Sequence, residues 1–177
     1  MPPTPIHFLS VASLHFVKSG TFDVTALLLS STCVDLELLY RLLIGQPLSH
    51  GLWHSYFFAL TIFPVAVSLF VLVAERKLLG ILKGTYKLFR FYPIKLKYNF
   101  KTIYLSALIG GISHIFFDMW THRVSAYLLY PFVVFDAENP FWLGEYEVLV
   151  YISVTILSVY SIYFWIRRMR NQHLRYW

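Results

Sequence analysis

Histidines and carboxylates recur in or at the edge of strongly apolar stretches of this chain: Asp35, Glu37, His50, His54, His114, Asp118 and His122. A charged carboxylate at bilayer depth costs at least ~2.5–3.5 kcal/mol. The least costly compensation is mutual, with carboxylates and imidazoles gathered around a bound cation. His114 and Asp118 are spaced i,i+4, and His122 follows at i+8. On a helix that spacing puts all three on one face, about one turn apart. His50 and His54 repeat the i,i+4 interval, a familiar zinc arrangement when both lie on a helix. Histidine plus carboxylate ligation without thiolate suits Zn²⁺, Mn²⁺ or Fe²⁺. The single cysteine, Cys33, excludes an intramolecular disulfide and a cysteine-based zinc site.

Each piece has a plainer reading. His114 and Asp118 could be a hydrogen-bonded pair. His50 and His54 could face lipid headgroups. Glu37, two residues beyond Asp35, points elsewhere on a regular helix and could support a ligand from behind or snorkel to the interface. Asp35 is harder to dismiss, because a carboxylate among the apolar residues from Ser31 to Leu39 must protonate or find a partner.

The elements that must position these residues follow from composition. The 177 residues suggest one domain, and 58% are hydrophobic and 19% aromatic. With a mean hydropathy of +0.60, this exceeds what a soluble globule needs. Aromatics cluster near the ends of the apolar runs, as in interfacial belts. The expected fold is an all-α polytopic membrane bundle. It has four long spans, roughly Val24–Ile44, Leu52–Ala74, Thr102–Trp120 and Tyr146–Ile166, each near the ~20 residues that cross a hydrocarbon core. Ile6–Val17 reads as a half-helix or tilted helix. Ala126–Phe135, interrupted by Pro131, reads as a re-entrant or interfacial piece. The N-terminus lacks the basic region and cleavage site of a signal peptide.

Charge sets the expected orientation. Eight of the fifteen basic residues lie between Arg76 and Lys101, and Arg167, Arg168, Arg170 and Arg175 lie in the tail. The positive-inside rule places both segments, 75–101 and 167–177, in the cytoplasm. The histidines and acids of separate runs then fall at one depth near the outer face, and His7 joins them if Ile6–Val17 runs inward. Segment 75–101 alternates basic, aromatic and aliphatic residues, as an amphipathic helix on anionic lipid does. The net charge of +6 is therefore read as membrane orientation, with lipids as partners and no nucleic acid.

At these residues the chain resembles a group of small prokaryotic inner-membrane proteins catalogued as predicted membrane-bound metal-dependent hydrolases. Their early histidine is matched by His7–Phe8. Their acidic pair is matched by Asp35–Leu36–Glu37, with Val34 where the family usually has proline. Their His-x-x-x-His-Ser element is matched by His50 to Ser55, and their Gly-x-x-Ser-His-x-x-x-Asp-x-x-Thr element by Gly110 to Thr121. The order of histidines and acids is remotely similar to the zinc-dependent phospholipase C and nuclease fold.

Residues and resemblance together lead to one expectation. His54, His114 and Asp118 are the first ligands, and Asp35, His50 and His7 complete a mononuclear or binuclear site for a divalent metal, zinc first and Mn or Fe next. Asp35 or Glu37 serves as general base and His122 as general acid on an ester or phosphoester, with lipid favoured by location. The rival reading is non-catalytic: a structural ion, or part of a metal or proton path.

Overall fold

The computed structural model describes residues 11, 12, 14, 21–46, 51–77, 81, 84, 99–123, 127–134 and 139–173. Five α-helices lie among them: α1 (Val24–Cys33), α2 (Leu36–Leu43), α3 (Phe63–Lys77), α4 (Phe100–Thr121) and α5 (Glu147–His173). His7, His50, most of Ile6–Val17 and most of the basic segment 75–101 lie outside the described residues.

Local chemistry explains each boundary near the site. Asp23 caps α1, its Oδ1 accepting from Ala26 N at 2.7 Å. α1 stops at Cys33 and α2 starts at Leu36, so the helix breaks at Val34–Asp35 without a proline. α2 closes in a Schellman arrangement. Gly45, at φ +70°, donates to Leu42 O, and Gln46 donates to Arg41 O at 2.9 Å. The next helix begins at Tyr56, after Ser55 Oγ accepts from Phe58 N. It widens into a π turn at Phe58–Ile62 before α3. Pro64, in the first turn of α3, has no N–H to give, and the widened turn makes room for its ring. Asn99 caps α4 through Thr102 N.

α1 packs along α4, and α3 closes over both. Ala26, Val67, Val71, Ile103 and Ala107 form the core shared by the three. A second cluster, Val34, Ala59, Phe63, Ile115 and Leu128, lies beside the break between α1 and α2. Segment 127–134, expected to be a re-entrant or interfacial piece, is a run of turns with Leu128 buried and Phe132 91% exposed.

Among the described residues, the expected four long spans become two. Phe100–Thr121 and Gly144–Arg167 are long and apolar enough to cross a membrane. Val24–Cys33 and Phe58–Ala74 are apolar but shorter. In the first case the chain turns at Val34–Asp35. In the second, the start of the run, 51–55, is spent on turns that carry His54. Both departures lie where the candidate ligands sit.

Beside the apolar core, polar groups are also buried and large apolar side chains exposed across the described residues. Asp23, Glu37, His54, His114, Asp118 and His122 are buried, while leucine, isoleucine, valine and phenylalanine side chains crowd the outside of α2, α3 and α5. Large exposed apolar area marks a surface made for something other than water.

Candidate metal centre

The break between α1 and α2 is what builds the site. Asp35 stands in the turn itself, and Glu37 lies in the first turn of α2. His54 comes from the bend at 51–55, and α4 contributes His114 and Asp118 from one face. His54 precedes its helix rather than lying on it, and His50, its expected i,i+4 partner, lies outside the described residues. The His114–Asp118 interval is helical as its spacing requires.

Four donor atoms converge. Asp35 Oδ1 lies 3.4 Å from His54 Nε2 and 3.4 Å from His114 Nε2. Asp118 Oδ2 lies 3.1 Å from His114 Nε2 and 3.9 Å from His54 Nε2. Metal–donor distances of about 2.0–2.1 Å put neighbouring donors of a tetrahedral zinc site roughly 3.3 Å apart. The donor atoms of Asp35, His54 and His114 all lie within 4.8 Å of one another. These residues therefore fit a divalent ion in both donor type and spacing.

Glu37 does a different job. Its Oε2 lies 3.1 Å from His54 Nδ1 and accepts from Gly51 N at 3.0 Å and Trp53 N at 3.1 Å. A carboxylate on Nδ1 keeps the proton there and turns the Nε2 lone pair toward the other donors, as in carboxylate–histidine–metal triads. Arg41 Nη2 lies 3.4 Å from the other Glu37 oxygen. With Glu37 balanced by Arg41, the carboxylates of Asp35 and Asp118 leave two negative charges, the complement of a divalent cation.

His122 closes α4 and sits at the edge of the cluster. Its Nδ1 lies 3.0 Å from Asp118 O and 3.6 Å from Asp118 Oδ1. Burial holds its pKa below the ordinary imidazole value, against the pull of Asp118. Asn139 fixes this end of the helix by donating to Met119 O at 2.7 Å and His122 O at 2.9 Å.

The described residues thus bring together Asp35, Glu37, His54, His114, Asp118 and His122, while His7 and His50 lie outside them. Two supporting residues escaped sequence reasoning. Arg41 had a signal in its i,i+4 spacing from Glu37. Asn139 had only the Asn-Pro pair, which marks a turn and nothing about what the amide caps.

Comparison with known proteins identifies the family. The sequence model of one family, described as a domain of unknown function (DUF4184), matches residues 1–176. The chain belongs to the DUF4184 family. No curated protein and no solved structure matches it. In this DUF4184 protein the assignment of chemistry therefore rests on the side chains themselves.

The Glu37 contacts give the first expected result. Glu37→Gln should weaken zinc binding by roughly 10–100-fold, the usual effect of losing a carboxylate behind a ligating histidine. Gly51→Ala should act in the same direction, because its added Cβ would run into the Glu37 and Arg41 side chains. Competition with a chromophoric chelator measures both. Wild-type affinity in Glu37→Gln would remove Glu37 from the site.

Proposed function

We propose that this chain is a membrane-embedded, metal-dependent hydrolase of an ester or phosphoester, with its centre toward the extracytoplasmic face and both basic segments in the cytoplasm. The observation that carries the metal reading is the convergence of Asp35, His54, His114 and Asp118 at metal-ligand spacing. The exposed apolar faces of the described helices support membrane embedding. The resemblance to membrane-bound metal-dependent hydrolases supports the reaction class.

Access favours catalysis over a closed structural ion. The side chains of His54, His114 and Asp118 are 3%, 1% and 9% exposed, whereas Asp35 is 17% exposed. The centre therefore opens at Asp35, and a catalytic site needs such an open side. A divalent ion there supplies activation of water and polarisation of the substrate oxygen. Asp35 holds the ion and takes a proton at the opening. Glu37 keeps His54 in its ligating tautomer. His122, next to Asp118, delivers a proton to the leaving group at acid pH, because its depressed pKa leaves it neutral and proton-accepting near pH 7. A centre at headgroup depth makes a lipid ester or phosphodiester the favoured substrate.

Elemental analysis of detergent-purified protein, followed by assays against carboxyl-ester and phosphodiester lipids, tests this. The expected result is stoichiometric transition metal, zinc first, and hydrolysis that stops on chelation and returns with metal. Protein that holds no such metal after supplementation rejects the proposal. Protein that holds metal and cleaves neither substrate class carries a structural ion instead.

A further inference from the structure

α2 is built inside out. Its inward stripe is Glu37, Leu38 and Arg41, which includes both of its charged residues. Its outward face is Leu36, Leu39, Tyr40, Leu42, Leu43 and the capping Ile44, with Leu43 76% exposed. A helix in water places these groups the other way round. The helix is too short to span a bilayer. Its outer face carries no charge, so the medium that covers it is apolar.

Lipid fits that medium better than a protein partner does. The exposed apolar surface is not one patch. Exposed apolar side chains also line α3 at Leu69, Phe70 and Val73 and α5 at Ile152, Ile156 and Val159. A surface distributed over separate helices is covered by a solvent, whereas a partner covers one side. We propose that α2 lies in the bilayer with its leucine face against lipid acyl chains, and that this seating holds Asp35 and Glu37 at the metal centre. The second half rests on the hydrolase reading above. Asp35 is the residue from which α2 starts, and Glu37 is pinned from the same helix to His54, Gly51 and Trp53. Displacing α2 therefore moves a ligand and the carboxylate behind another ligand together.

A nitroxide at Leu43→Cys, in a Cys33→Ser background and in phospholipid nanodiscs, reads the seating directly. Frequent collisions with oxygen and rare collisions with a water-soluble nickel complex are expected. Frequent nickel collisions would place the face in water and overturn the proposal. Rare collisions with both would place a protein partner there and overturn it equally. The coupling is read separately in nanodiscs, as zinc affinity. Leu39→Asn should lose roughly ten-fold, as for other changes behind a ligand, while Leu39→Val keeps wild-type affinity. Unchanged affinity in Leu39→Asn would overturn the coupling. A wild-type chain that binds no zinc would reject the metal centre and with it the coupling, and the nitroxide would still decide whether α2 sits in lipid.

Discussion

His114→Ala is expected to abolish metal binding at the proposed centre. His114 is fully buried on α4, and its Nε2 lies 3.4 Å from Asp35 Oδ1 and 3.1 Å from Asp118 Oδ2. Loss of a group behind a ligand already costs up to about 100-fold in affinity, so loss of the ligand itself should cost at least ~100-fold. Asp118→Ala should act similarly, because it also leaves Asp35 as the one remaining acid among the donors. Metal content of purified protein gives the answer, with helical content by circular dichroism showing that the fold persists. His114→Ala protein that retains stoichiometric metal would remove His114 from the ligand set. The pairing of Asp35, His54 and Asp118 would then need another account, such as a purely ionic network.

The second large effect concerns the fold. Gly110 lies where α4 crosses α1, and a Cβ there would strike the Leu27 carbonyl, with the Ser31 backbone nitrogen close by. Backbone cannot swing aside as a side-chain tip can. Gly110→Ala should therefore destabilise by at least the ~3 kcal/mol that marks the upper end of ordinary overpacking. Gly111→Ala meets the Ser30 hydroxyl at 3.2 Å and should cost less. Thermal unfolding in detergent ranks the two. Equal and small shifts would mean that α1 and α4 do not approach as described. Because α1 leads into Asp35 and α4 carries His114, the same substitution should also reduce metal content.

How much of this was legible in advance differs residue by residue. His114 and Asp118 could be paired from spacing because both lie on one uninterrupted helix, where i,i+4 has a single meaning. Spacing alone could not relate His50 to His54, because the interval implies a shared face only on a helix, and the described helix begins after His54. Glu37 was ambiguous for a related reason. Two residues past Asp35 it would face away on a continuous helix, yet the turn at Val34–Asp35 lets Asp35 and Glu37 both reach His54. The apolar run Val24–Ile44 likewise hid that turn, since hydropathy averages over a break that leaves composition unchanged.

Composition and periodicity by themselves determined that the chain is helical, and that histidines and acids must be accommodated within apolar segments. They also determined that His114 and Asp118 share a face, because those properties depend on residue type and on the geometry of one helix. Only the tertiary structure decided that Asp35, His54 and His114 meet, with Asp118 beside the two histidines, and that Glu37 stands behind His54. It alone reduced the membrane-length helices among the described residues from four to two. Those facts depend on where the chain turns and how closely α1 approaches α4 past Gly110. Both are set by contacts between residues far apart in the chain, which local patterns do not encode.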